Sequence, residues 1–161
     1  MNIPKTLILA VVLIVIGLWT IPVKAEVLNL SGTWKLNVEK SDYGNMPKPD
    51  RSFTMKIEHS EPNLKWSYTS TDDSGNENSF EFTTAIDGEQ RPYTEGPITK
   101  TQAFTRISPS VIEYVDKGIE GETAGTGTWT ISKDRKVLTQ KANTRDMNEQ
   151  PLTVIQVFEK Q

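Results

Sequence analysis

From Leu30 onward, apolar and polar side chains alternate one for one. Leu30, Gly32, Trp34, Leu36 and Val38 fall to one side, and Ser31, Thr33, Lys35, Asn37 and Glu39 to the other. Successive side chains of an extended chain point to opposite faces, so this spacing predicts a half-buried strand. The pattern recurs three times in the next fifty residues. Phe53, Met55, Ile57 and His59 alternate with Ser52, Thr54, Lys56 and Glu58. Leu64, Trp66, Tyr68 and Ser70 alternate with Lys65, Ser67 and Thr69, and Phe80, Phe82, Thr84 and Ile86 make a fourth set. Further strands are expected near Thr99 to Ile107, Val111 to Lys117, Glu122 to Ser132, Val137 to Asn143 and Leu152 to Glu159. No window after Ala25 carries helical periodicity.

The connections have turn chemistry. Glu61-Pro62-Asn63, Asp72 to Asn76 and Asp87-Gly88 separate consecutive strands. Gly, Asn and Asp supply the backbone torsions that tight hairpins need. Two segments read as irregular. Tyr43 to Asp50 holds Pro47 and Pro49, and is expected to cross one end of the fold. Gly88 to Pro97 holds Pro92 and Pro97 and reads as a second lid. Many short antiparallel strands, each apolar on one face, either stack as a sandwich or close into a barrel. Hairpin-length turns favour a meander, and closure removes exposed edges. The expected fold is therefore all-β, an antiparallel up-and-down β-barrel of eight to ten strands.

The N-terminus departs from this pattern. Residues 1–25 carry Lys5, an uncharged run from Thr6 to Val23, and then Val23-Lys24-Ala25. A basic start, an apolar stretch and small residues at a cleavage point are the layout of a signal peptide. Cleavage before Glu26 would leave residues 26–161 as one domain, secreted or periplasmic, with no stable membrane insertion. The rival reading is an uncleaved anchor, since the run is just long enough to span a bilayer as a helix. Without Lys5 and Lys24, two of the 18 basic residues, 16 remain against 21 acidic ones, a net charge of −5. No basic cluster is present, which argues against nucleic acid as a partner. The chain has no cysteine, so it has neither a disulfide framework nor a lipidated cysteine.

Gly32-Thr33-Trp34-Lys35-Leu36 at the first strand resembles the opening of lipocalins and fatty-acid-binding proteins, whose Gly-x-Trp closes the barrel floor. An ordered set of short pieces resembles bacterial exported lipocalin-like (calycin-type) proteins with no assigned activity. Those pieces are Gly32 to Ser41, Pro47 and Pro49, Asp87 to Gly96, Phe104 to Ile107, Ser132 to Thr139 and the ending Val157 to Gln161. The resemblance implies a barrel and export. Fatty-acid-binding proteins end on an Arg-x-Tyr strand that holds a ligand carboxylate by charge-assisted hydrogen bonds. Gln156-Val157-Phe158 stands at that place, so the clamp is not carried over. Lipocalins stack an arginine on the first-strand tryptophan. Arg145 and Arg106 are the candidates for Trp34.

Catalytic chemistry finds little footing. His59 is the only histidine, and it sits at a strand end on the apolar face. Metal and haem sites want more ligands at defined spacing, and no cofactor is called for. Asp72-Asp73 belongs to a turn. Ser31, Ser41 and Ser132 have no nearby histidine to activate them. Gly125 and Gly127 read as kinks in a strand leading to Trp129, because no helix follows to hold a phosphate.

The aromatic set is what carries a functional reading. Trp34, Phe53, Trp66, Tyr68, Phe80, Phe82 and Trp129 share a parity, and closure would turn them inward. Ser70, Thr84, Gln140 and Gln156 share it too. Buried polar groups need partners, and a mixed lining is the usual make-up of a ligand pocket. A small barrel filled solid with side chains is the alternative. The first reading is a non-catalytic barrel for a small hydrophobic or amphipathic ligand, lined by Phe53, Met55, Trp66, Tyr68, Phe80 and Phe82. The second is a cell-envelope interaction or assembly module with a filled core, acting through its loops.

Overall fold

The computed structural model describes residues 26–46, 48–49, 52–72, 74–146 and 148–161. The expected leader, Pro47, Asp50 and Asp73 lie outside them. Among the described residues ten strands follow one another: β1 (Gly32–Asp42), β2 (Ser52–Ser60), β3 (Asn63–Thr71), β4 (Glu77–Ala85), β5 (Arg91–Glu95), β6 (Ile98–Ser108), β7 (Val111–Lys117), β8 (Thr123–Ile131), β9 (Val137–Arg145) and β10 (Pro151–Lys160). All pair antiparallel, in the order β4-β3-β2-β1-β10-β9-β8-β7-β6-β5. Each strand therefore pairs with its neighbours in the chain, with two departures. β1 and β10 pair and join the ends of the sheet, while β4 and β5 do not pair. The result is a nearly closed up-and-down barrel, open along one seam.

That seam corrects two expectations. Asp87-Gly88 was expected to turn a hairpin, but it carries the chain across the unpaired gap. Gly88 to Pro97 was expected to be an irregular lid, yet Arg91–Glu95 forms β5 and pairs with β6 from Arg91↔Gln102 to Glu95↔Ile98. Pro92 misled because proline cannot donate to a ladder. On an edge strand that donor is dispensable, and β5 is such an edge. The Asp87 carboxylate takes two bonds from Arg91 at 2.7 Å each, fixing the way into β5.

The Gly-x-Trp of β1 has a packing reason. Trp34 is fully buried, and its indole N–H donates to the Leu30 carbonyl at 3.0 Å. It lies opposite Lys160 in the β1–β10 register. The Lys160 ammonium stands over the Trp34 ring and donates to the Ser31 carbonyl at 2.8 Å. Gly32 has φ of +150°, and a Cβ there would fall 2.5 Å from Lys160 Cε. The cation on the tryptophan is thus Lys160, from the chain end, and not Arg145 or Arg106. Arg145 instead bonds the Glu149 carbonyl in the β9–β10 turn. Arg106 pairs with Glu61 beside His59.

A bulge in β1 bends the strand round the barrel. Pairing with β10 shifts register between Asn37 and Asp42. Within the bulge, the Ser41 hydroxyl donates to the Asn37 carbonyl and accepts the Val157 amide, at 2.7 and 2.9 Å. From Asn37 to Asp42 β1 advances five residues while β10 advances two, from Val157 to Ile155, and this odd excess reverses the inward parity. Ser41 and Tyr43 are consequently buried, and Tyr43 packs with Leu152 and Val154. The Tyr43–Asp50 segment is anchored at its start by this contact.

The core is concentrated at the end of the barrel where β1 begins and β10 finishes. Leu30, Trp34, Ile57, Leu64, Phe104, Ile112, Trp129, Ile131, Leu138 and Phe158 fill this floor. Gly127 makes room for its cross-strand partner. A Cβ there would lie 2.5 Å from the Tyr114 ring and 2.3 Å from the Lys141 carbonyl oxygen. The glycine read as a kink is a close approach of ring to backbone.

Candidate functional site

Above the filled floor the barrel is hollow. A cavity of about 250 Å³ lies between β2 and β3 on one side and β9 and β10 on the other. The β2–β3 wall supplies Phe53, Met55, Trp66, Tyr68 and Ser70. These fall on one face because the register sets Phe53 opposite Ser70 and Met55 opposite Tyr68. Gln140 and Gln156, directly opposed across β9 and β10, supply the facing wall. Glu95, at the exposed end of β5, completes it.

The rings of the wall are packed into a sheet of their own. Phe53 and Tyr68 stack at 4.8 Å between centroids, and Tyr68 and Trp66 lie 6.5 Å apart and nearly parallel. Trp66 meets Trp129 edge-on at 5.5 Å, so the cavity rests on the filled floor. Such offset and edge contacts are the favourable aromatic geometries. The two alternatives read from the sequence thus divide along the barrel axis, one half solid and the other hollow.

Of the six candidate lining residues, Phe53, Met55, Trp66 and Tyr68 border the hollow; Phe80 and Phe82 are not in its lining, although the Phe80 ring packs on Trp66 and Tyr68 with centroids 5.1 and 5.7 Å away. Both are buried on β4, where Tyr93 of β5 packs against them with centroids 5.6 and 5.3 Å away. They close the seam by ring contact where the ladder is missing. Tyr93 lay in the segment read as irregular, and so was missed. Burial is the main cause holding its hydroxyl well above the usual tyrosine range, with Asp116 and Glu95 adding to it.

Glu95 was missed for the same reason as Tyr93. The Tyr68 hydroxyl donates to Glu95 Oε1 at 2.5 Å, tying the aromatic wall to the carboxylate. Deeper along the β6–β7 wall, Asp116 accepts from the Gln102 amide at 2.7 Å. Burial pushes the Asp116 carboxyl up. The Gln102 bond and Lys100 oppose this, while Glu95 adds to it. The buried indole N–H groups of Trp66 and Trp129 have no acceptor among the described residues.

The remaining chemistry is structural. His59 is buried, and the Leu30 amide donates to its Nδ1 at 3.2 Å, which leaves the proton on Nε2 facing Glu61 Oε1 at 3.3 Å. It is a strand-end residue holding the chain ahead of β1. Ser31 bonds the His59 backbone, not its ring. Ser132 bonds Asp134 and the Val137 amide. Asp72 accepts from the Ser74 and Asn76 amides and so forms a turn.

No protein-family model matches the sequence, and no curated protein matches it. Solved structures do share the fold. As-p18, an extracellular fatty acid binding protein, is 12% identical with a TM-score of 0.58, over 82% of this chain and 96% of that one. A Schistosoma mansoni fatty acid binding protein in complex with arachidonic acid is 15% identical with a TM-score of 0.56, over 82% and 96%. Zebrafish ileal bile acid-binding protein, complexed with cholic acid, is 12% identical with a TM-score of 0.56, over 82% and 98%. The chain therefore shares the barrel fold of these proteins.

Proposed function

We propose that this barrel binds a small hydrophobic or amphipathic molecule in its upper hollow and does not transform it. The observation that carries the reading is the composition of that hollow. Phe53, Met55, Trp66 and Tyr68 face Gln140 and Gln156 across about 250 Å³. Apolar surface moved out of water there is worth about 25 cal/mol per Å². The glutamines fix orientation through hydrogen bonds. The likeness to barrels described as fatty acid and bile acid binding proteins supports the same reading at the level of fold. Native mass spectrometry of the protein purified from the cells that make it tests this. A co-purifying small molecule, lost in Trp66→Ala and Tyr68→Ala, is the expected result. Consistent absence of any such molecule would overturn it.

Export belongs to the same proposal and rests on Lys5, the apolar run from Thr6 to Val23, and the small residues Val23 and Ala25. Among the described residues no helix is long and apolar enough to cross a membrane. N-terminal sequencing of the product is expected to begin at Glu26. The interaction-module reading retains one supporting observation. Met46, Ile98 and Ile119 are exposed at the end of the barrel remote from the floor.

A further inference from the structure

Residues 26–31 cross the floor end of the barrel before β1 begins. Glu26 pairs with Arg135 in the β8–β9 turn at 3.1 Å. The Leu28 amide donates to the Pro109 carbonyl in the β6–β7 turn at 2.9 Å. Asn29 and Ser31 bond the His59 backbone at the end of β2. Leu30 belongs to the buried core, and its carbonyl accepts the Trp34 indole N–H. The segment is thus a strap over the floor, with Leu30 as its plug.

The Leu30 amide donates to a group that can be titrated, His59 Nδ1 at 3.2 Å. An imidazole nitrogen accepts only while it carries no proton. A proton on Nδ1 sets two donors against each other and leaves the buried Leu30 N–H without its acceptor. The charges around the ring do little to offset this. Glu61 Oε1 lies 3.3 Å from Nε2, but it already receives Arg106 Nε at 2.5 Å. Arg106 Nη2 stands 3.4 Å from the same Nε2 and brings like charge to an imidazolium. Glu58 and Lys65, beside His59 on β2 and β3, are engaged by Lys56 and Glu81. Burial is the largest influence on the ring and resists the charge; Glu61 favours it and Arg106 opposes it. We propose that residues 28–31 form an acid-released strap: protonation of His59 frees Leu30 from the floor while the barrel ladder stays folded. Release takes the plug out of the core and leaves the Trp34 indole without its acceptor.

Amide exchange followed by NMR at about pH 7.5 and about pH 5.5 tests this, with rates expressed as protection factors to remove the intrinsic effect of pH. The strapped state resists a proton that the open state takes up near the ordinary value of about 6.5, so opening grows as pH falls below it. Leu28 and Leu30 are expected to lose protection about tenfold between the two pH values. Amides of the β9–β10 ladder are expected to stay at least about a hundredfold better protected at both, the mark of a local opening. In His59→Gln, whose side-chain carbonyl can accept the Leu30 amide and takes no proton, the loss is expected to shrink below about twofold. His59 is the only histidine, so its ring signal follows protonation directly even if that variant does not fold. A protonated ring with Leu30 still fully protected overturns the proposal. A loss that persists in His59→Gln also overturns it, as does protection of Leu28 and Leu30 equal to that of the ladder.

Discussion

The Lys160 ammonium lies 5.2 Å from the centroid of the Trp34 ring, held there by the last residues of the chain and the first strand. Both side chains depend on the glycine between Ser31 and Thr33. Gly32→Ala introduces a Cβ into the space of Lys160 Cε, at a φ that L residues rarely adopt. It is expected to cost about 1–3 kcal/mol in urea unfolding. Lys160→Ala alone is expected to cost about 0.5–1 kcal/mol. In the double variant the glycine substitution should cost less than it does alone, because only the torsional part remains. Strict additivity would show that the two do not share that space.

Tyr93 joins two strands that share no ladder. Replacing it with alanine removes its ring contacts with Phe80 and Phe82, and is expected to cost about 2–4 kcal/mol. Tyr93→Phe keeps the ring, and should cost less than about 1 kcal/mol. Hydrogen exchange locates the effect. Amides of β4 and β5 are expected to exchange faster in Tyr93→Ala, while those of β9 and β10 change little.

Two tryptophans in edge contact are expected to behave differently. Trp129 is 2% exposed in the floor, and Trp129→Ala should cost about 3–5 kcal/mol. Trp66 is only partly buried and borders the hollow, so it has less packing to lose. Trp66→Ala is expected to cost less in stability and more in ligand affinity. Thermal melts and binding titrations on both variants check the inversion.

His59 predicts a pH dependence. Burial is the largest cause lowering its pKa, with Arg106 also lowering it and Glu61 pulling it up. The folded state thus resists a proton that the unfolded chain takes up around the ordinary value of 6.5. Where the unfolded chain binds more protons, stability rises with pH. His59 should therefore contribute full stability above about pH 6.5, with a loss as pH falls toward its lower folded value. Urea midpoints at pH 7.5 and pH 5.5 are expected to differ more in the wild type than in His59→Gln. Equal differences would remove His59 as the cause.

The strand pattern was legible because a period of two is imposed wherever one face is buried. Nine of the ten strands follow from it, together with the face that Phe53, Met55, Trp66 and Tyr68 share. The tenth was hidden because β5 is an edge of five residues with Pro92 inside it and only Tyr93 as a large apolar side chain. With that strand went both Tyr93 and Glu95. The partner of Trp34 was hidden for another reason. Lys160 reaches it through β1–β10 pairing, which joins residues 126 positions apart in sequence, and no local spacing records such a contact. Phe80 and Phe82 have the right parity for the hollow. Their position beside the gap, rather than opposite it, is set by strand order alone.

A wall joined by rings along one line behaves unlike a wall stitched throughout by amides. Ladder bonds hold neighbouring strands at a fixed separation, whereas stacked side chains can slide and still touch. On the proposed reading, small displacements at Tyr93 would let the girth of this container follow the thickness of its guest, with the remaining nine junctions kept whole.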